Sequence, residues 1–458
     1  MKRIVTLLLV LAMVFSLAAC SKDEKKDTSN TDNTNNTNTS NDTNTSNDTN
    51  TTTDAPAAST GALDKEITLT LWDIATEGDG NRPAYDKALA DLKAKYPKVT
   101  ITETVTENNA YKTKIKSAIG ANELPDIFFT WAGAFLGDFV DAGKVHCLDS
   151  VLQKYIDNGE MTEAQLGNST YNGKHYGVPT TYNIVTLFAN MDILAKVGYD
   201  HIPTTMDELN DCCDKLLAQG IIPFGCAGKT DDTWCVTEYL EPIIEKTIGA
   251  TALKGIMTFG DTWNNPGVAS SVDLLQSMIT KGYFDPDGIA LGNEEVKQNF
   301  MAGKYAFYQN GSWNCGDFSN ADNVKFTVKA GEFPVVDAAN GKLGMLIGGP
   351  SDTIAVSEGA NAEAAAEYAV EFGRLICHYG YLEGSGLPAW KVWGDTSSVK
   401  PLVQEVAAIC ANAVDYVLFG DNAMPADKAT IYLEYVQGVY GGTTNGQAFI
   451  DGLKNDIG

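Results

Sequence analysis

Seven tryptophans, at 72, 131, 234, 263, 313, 390 and 393, are the residues of this chain best suited to holding a ligand. An indole face stacks on the apolar C–H face of a pyranose, and short polar side chains beside it hydrogen-bond the ring's fixed hydroxyls. Trp234 and Glu238 stand four apart in Asp231-Asp232-Thr233-Trp234-Cys235-Val236-Thr237-Glu238. On a helix they share a face, so they either serve one ligand together or pack between neighbouring elements. Trp72 with Asp73, and separately Trp131, close strand-like segments, where a tryptophan is either a ligand platform or a core cap. Trp313 ends Asn310-Gly311-Ser312-Trp313, and Trp390 follows Gly386-Leu387-Pro388-Ala389. Tyr182 and Tyr308 are secondary candidates, whereas Trp263 and Trp393 read as packing residues.

Catalytic patterns are missing from the sequence. A glycosidase needs two carboxylates about 5–9.5 Å apart, but with 59 Asp and Glu in the chain some pair always fits, so acidity has no diagnostic value. There is no nucleophile elbow, zinc-binding His-Glu-x-x-His or phosphate-cradling Gly-x-x-x-x-Gly-Lys-Ser/Thr. His146, His175, His201 and His378 are scattered, and each reads as a surface or packed residue. Asp285-Pro286-Asp287-Gly288 starts like a calcium loop, but it lacks the next acidic ligand and places glycine too early. No catalytic residue, metal or cofactor is therefore expected, and a binding protein is what the resemblance described below implies. The alternatives are a secreted carbohydrate-active enzyme, which would turn sugar over, and a surface interaction protein, which would more often show repeats.

The elements that must position these residues alternate. Glu66–Trp72 changes polarity at period two, as a half-buried strand does. Residues 85–96 carry Ala88, Leu89 and Leu92 at helical spacing and stop at Pro97. Strand-like 99–103, helix-like 111–121 and strand-like 126–131 follow. Strand, helix and strand in series imply right-handed crossovers and an α/β fold with a mostly parallel sheet flanked by helices. Ligands in such sheets sit beyond the carboxyl ends of strands, where Trp72-Asp73 and Trp131 fall.

The chain has 458 residues with 33 Lys and Arg against 59 Asp and Glu, a formal net charge of -26. That balance argues against a nucleic-acid partner, since phosphate backbones are held by clustered basic side chains and none are found here. Residues 1–19 read as an export signal: Lys2 and Arg3, an apolar run over 4–15 too short to span a membrane, then Leu17-Ala18-Ala19 before Cys20. Residues 27–54 are all Asn, Thr, Ser or Asp, so 20–60 reads as a disordered tether. Eight further cysteines permit disulfides, and Cys226 to Cys235 could close a small loop. Their apolar neighbours favour reduced thiols instead.

Two resemblances add to this reading. Leu17-Ala18-Ala19-Cys20 resembles the bacterial lipobox, which implies acylation of Cys20 and attachment to the outer face of the cell membrane through that lipid alone. The folded part resembles the extracellular solute-binding proteins of carbohydrate ABC importers, of the maltose- and oligosaccharide-binding type. The likeness rests on Leu124-Pro125-Asp126-Ile127, Tyr171-Asn172-Gly173-Lys174-His175-Tyr176-Gly177-Val178-Pro179, Leu187-Phe188-Ala189-Asn190-Met191-Asp192-Ile193-Leu194 and Pro203-Thr204-Thr205-Met206-Asp207-Glu208-Leu209. It continues through Phe300-Met301-Ala302-Gly303-Lys304-Tyr305-Ala306-Phe307, Asn310-Gly311-Ser312-Trp313 and Gly384-Ser385-Gly386-Leu387-Pro388-Ala389. It implies two α/β lobes with the ligand between them, an N-terminal lobe of 61–172 and 345–385 and a C-terminal lobe of 173–344 and 386–458, with Asn172-Gly173 as a hinge. It further implies closure of an open form around an oligosaccharide, and delivery by a monomer to permease subunits served by a cytoplasmic ATPase. Trp131 and Trp313 match positions that contact sugar in the family. Asn183 falls where maltose-binding proteins place an acidic contact, and here it is an amide.

Overall fold

The strand Ile67–Asp73 follows its alternation, burying Leu69, Leu71 and Asp73 while the residues between stay partly exposed. The computed structural model describes residues 61–458, so the expected signal segment, Cys20 and the tether lie outside the described residues. Helix Arg82–Lys95 starts three residues before the expected Tyr85, with proline in its first turn, where the missing N–H costs nothing. It buries Tyr85, Ala88 and Leu92 in the first-lobe core, Tyr85 meeting Phe372 of helix Ala362–Glu383 edge to face at 5.4 Å. Helix Asn108–Ala121 also starts three residues early, because the Glu107 carboxylate caps the N–H groups of Asn109 and Ala110. Ile127–Trp131 is buried at every position, as a central strand covered on both faces must be.

The first lobe's sheet runs in the order Val99–Val105, Ile67–Asp73, Ile127–Trp131, Asp352–Val356, Val178–Pro179. Its first three strands are parallel. The other two are each antiparallel to their neighbour, so the sheet is mixed. The second lobe's sheet runs Asp415–Val417, Met345–Gly349, Asn183–Asn190, Tyr305–Gly311, Ile222–Gly225, with Val328–Gly331 also paired to Asn183–Asn190. It too mixes parallel and antiparallel pairs. The two-lobed α/β architecture stands. The antiparallel pairs arise because strands that follow a crossing enter their sheet from the opposite end.

The strand assignments move the lobe boundaries from those expected. Asn172 and Gly173, both at positive φ, form the tip of a hairpin between Thr170–Tyr171 and Lys174–His175. That hairpin packs on the first lobe through Tyr171 and His175, so it is a turn and not the hinge. The chain crosses at 180–182, between Val178–Pro179 in one sheet and Asn183 in the other. It returns at 350–351, because Met345–Gly349 pairs with Asn183 and Ile184 in the second lobe. The third passage, 384–399, weaves: Leu387 and Tyr182 exchange backbone hydrogen bonds of 2.9 and 2.8 Å, Ala389 and Trp390 dip into the first core, and Val399 enters the second. All eight described cysteines, Cys226 and Cys235 included, are free thiols, six of them buried.

Gly348 lies at φ 145°, and a Cβ there would fall 2.2 Å from the Asn183 carbonyl oxygen at the root of the crossing. Gly348→Ala should destabilise the protein by about 2–4 kcal/mol. Gly359→Ala, which meets open space, should stay within about 0.5 kcal/mol. Urea unfolding of both variants measures the difference.

Candidate functional site

Both lobes send loops to a shared cavity of about 970 Å³, near the upper end of the roughly 300–1,000 Å³ typical of small-molecule sites. The first lobe contributes the loop 74–81 that follows Ile67–Asp73, the start of helix Asn108–Ala121, and Trp131 at the carboxyl end of its strand. Ser351 and Asp352 add the crossing. The second lobe supplies the starts of helices Trp234–Ile248 and Asn293–Met301, Trp313 with Asn314 and Asp317, and the turn at 419–422.

Three aromatic rings form a row on the second lobe. Trp234 and Trp313 have centroids 6.0 Å apart, and Trp313 and Phe419 6.1 Å, with the planes inclined at 54° and 50°. Trp131 faces the cavity from the first lobe but is only 7% exposed. Phe129 and Phe135 abut it edge to face at 5.0 and 5.2 Å, and the Lys112 ammonium lies 4.9 Å from its centroid. It therefore presents a limited surface.

Polar groups supply the second half of the chemistry. The Trp234 indole N–H and the Glu238 Oε2, one helical turn apart on the same face, are buried without hydrogen-bond partners although both residues line the cavity. Leaving buried polar groups unpaired is costly, so such a pair is ready for a ligand hydroxyl. Burial pushes the Glu238 carboxyl well above the usual carboxylate range, with Glu241 and Asp421 adding to the effect. A protonated Glu238 can donate as well as accept. Across the cavity the lobes also touch directly, where Asn109 Nδ2 donates to Asp232 Oδ1 at 2.9 Å and Lys112 Nζ pairs with Asp421 Oδ2 at 3.1 Å.

Of the residues singled out in the sequence, Trp131, Trp234, Glu238 and Trp313 come together here; the others do not reach the cavity. Trp72 lies half-buried with the Lys114 ammonium 3.9 Å above its ring. Asp73 is buried, and its Oδ1 accepts from Ala75 N–H at 2.9 Å, which fixes the start of the loop 74–81. Burial and the neighbouring Glu103 charge push its pKa up to about 8. Tyr182 packs edge to face on Tyr416, and Asn183 accepts from Ser312 Oγ at 3.0 Å and donates to Thr181 Oγ1 at 2.9 Å, so both belong to the crossing. Asn310 sits one layer behind, accepting from the cavity-lining Asn314 at 3.0 Å. Trp390 is a first-lobe core residue, since its indole donates to Pro179 O at 2.9 Å and its ring abuts Tyr155. Tyr308 is likewise buried and donates to Asn293 Oδ1 at 3.0 Å.

Sequence reasoning missed Asn109, Asn293, Phe419 and Asp421. The two asparagines stand at helix starts after loops, a signal that could have been used. Phe419 and Asp421 lie in a stretch with no periodicity, which offers none. Asp285, the head of the calcium-like run, is taken up by Lys304 at 2.8 Å and by the Tyr305 hydroxyl at 2.6 Å.

Residues 77–373 match the family profile described as bacterial extracellular solute-binding protein. A structure solved in work on xylan utilization by the thermophilic bacterium Caldanaerobius polysaccharolyticus shares 31% identity at a TM-score of 0.81, covering 86% of this chain and 100% of that one. The galactooligosaccharide-binding protein of Bacillus subtilis (strain 168) is 26% identical over 274 residues, 58% of this chain and 60% of that protein. A protein of Brucella abortus (strain 2308), named only as a binding protein, is 25% identical over 256 residues, 54% of this chain and 59% of its own length. The matches thus span less than two thirds of these curated relatives.

The buried acids set a pH dependence. Burial raises the pKa of Glu241 and Glu245, like that of Asp73, to about 8. Each folded value lies above the unfolded one, so the folded protein keeps protons that the unfolded chain has released, and stability is lost as the pH rises towards and through 8. His378, which burial lowers, acts oppositely, since its contribution is lost as the pH falls. Three acids outweigh one histidine. The unfolding free energy from urea titrations should therefore fall by about 2 kcal/mol or more between about pH 6.5 and pH 8.5; a flat or rising profile contradicts the assignment.

Proposed function

The chain belongs to the bacterial extracellular solute-binding proteins, and from that premise we propose that its cleft captures a carbohydrate, an oligosaccharide in preference to a single sugar, for delivery to the permease subunits of an ABC importer. The observation that carries this reading is the row Trp234, Trp313 and Phe419 beside the unpartnered Trp234 N–H and Glu238 Oε2. Inclined rings about 6 Å apart suit successive pyranose units. The buried donor and acceptor suit the hydroxyls of one unit. The volume leaves room for more than one ring.

In this reading Trp313 and Trp234 stack on the sugar, Glu238 hydrogen-bonds it, and Trp131 closes from the opposite lobe. Asn310 and Asp73 hold the loops that present the site, while Asn183 and Tyr182 belong to the hinge. Opening and closing about the crossings at 180–182 and 350–351 admits and encloses the ligand. The family relation and the names of the relatives, which are binding proteins, support binding without turnover. Acylation of Cys20 would hold the monomeric protein at the outer face of the cell membrane, with residues 20–60 as its tether.

A thermal-shift panel of neutral oligosaccharides tests the reading, because a ligand that binds only the folded state raises stability as RT ln(1 + [L]/Kd). At least one sugar should raise the melting temperature and be recovered unchanged by chromatography. Trp313→Ala should weaken that sugar by about 10- to 100-fold. Release of shortened products would instead make the protein an enzyme. For the anchor, Cys20→Ala should abolish incorporation of labelled palmitate and shift the protein from the membrane fraction to the medium. Retention of both label and membrane association would remove Cys20 from that role.

A further inference from the structure

One short stretch of the second lobe, residues 419–426, grips the first. It is fixed in its own lobe by Phe419 and Met424, which pack into the second core, and by Glu241, whose two carboxylate oxygens both accept from Gly420 N–H at 3.2 Å. The Tyr432 hydroxyl donates to the same carboxylate at 3.0 Å. From this base it makes three contacts with the first lobe. Asp421 pairs with Lys112 at 3.1 Å. Ala426 N–H, in the first turn of a 15-residue helix without a side-chain cap of its own, donates to Asp138 Oδ2 at 3.2 Å. The Asn422 carbonyl lies so close to Gly133 that a Cβ there would stand 2.5 Å from its oxygen.

The position of these contacts gives them a function. The chain passes between the lobes at 180–182, 350–351 and 384–399, so the contacts of 419–426 with residues 112, 133 and 138 tie the lobes together away from those passages. We propose that residues 419–426 form a clasp, with the Lys112–Asp421 ion pair as its fastening, that biases the lobes toward closure and sets how long an enclosed ligand stays bound. The side chains of the pair are 26% and 13% exposed, so dissolved salt reaches and screens it. The residence time of an uncharged ligand then depends on ionic strength. Lys112 also sits on the Trp131 ring, so fastening the clasp orders the one indole that the first lobe brings to the cavity.

The kinetic half of the test rests on the carbohydrate reading above; the scattering half does not. Dissociation of whichever of xylotriose, maltotriose and galactotriose binds most tightly is followed by stopped-flow tryptophan fluorescence. Lys112→Met and Asp421→Asn should each speed release about 5-fold, with the double variant no faster than either single, because the two act as one pair. Lys112→Arg should stay near wild type. Asp138→Ala should speed release about 2-fold, although Asp138 does not line the cavity. Raising NaCl from about 20 to about 500 mM should speed wild-type release about 3-fold and leave the double variant unchanged. Additive single effects, or a wild-type rate indifferent to salt, overturn the clasp and assign Lys112 to direct ligand contact. Small-angle scattering without sugar provides the independent arm, in which the double variant should show a larger radius of gyration than wild type. If none of the three sugars binds, scattering decides alone, superimposable curves overturning the clasp.

Discussion

Everything in this molecule depends on how the chain passes between its lobes. Three passages must carry backbone polar groups through a tightly packed boundary, and each group needs a partner there. Tyr182 and Leu387 satisfy one another reciprocally, Asn183 joins Ser312 to Thr181, and Thr180 N–H donates to the Asp352 carbonyl at 2.9 Å. Asp352 also accepts from Thr181 Oγ1 at 3.1 Å, and burial pushes its pKa up to about 6. Gly348 and Gly349, at φ 145° and 135°, allow the strand to approach Asn183 closely before the chain leaves the second sheet. With the passages so fixed, the loops of both sheets face the same cavity.

The lobes contribute different chemistry to that cavity. The second provides rigid aromatic surface on helix starts and at the end of a central strand, where packing behind each ring fixes its orientation. The first provides polar loop and helix-start groups, with Asp73 buried beneath its main loop as a backbone anchor. Trp131 is the exception, an indole crowded by Phe129, Phe135 and Lys112 that shows the cavity little of itself. The division suits a clamp in which one lobe offers a surface to lie on and the other closes over it.

Much of the fold was legible because its signals are local. The alternation of Ile67–Asp73 and the helical spacing of Ala88 and Leu92 report directly on which face is buried, and the helix starts moved by only a turn. The lobe boundaries were less legible, because a hinge is defined by pairing across the chain. Nothing near Gly173 signals that Val178–Pro179 still belongs to the first sheet, or that Met345–Gly349 belongs to the second. For the site, Trp234 and Glu238 were found through their helical spacing. Trp390 and Trp72 misled because a tryptophan beside a loop looks the same whether its indole is spent on Pro179 or open to a ligand. Phe419 and Asp421 had no signal at all, since their placement comes from the buried Glu241, nearly 180 residues away.

The proposed ligand is a carbohydrate held in the cleft against the aromatic row of the second lobe. A crystal structure grown with a bound oligosaccharide tests it most directly. A pyranose ring should lie parallel to the Trp313 indole at about 3.5–4 Å, with a hydroxyl within hydrogen-bonding distance of both Trp234 Nε1 and Glu238 Oε2. Sugar density elsewhere on the protein, or in the cleft with Trp313 and Trp234 untouched, would contradict it.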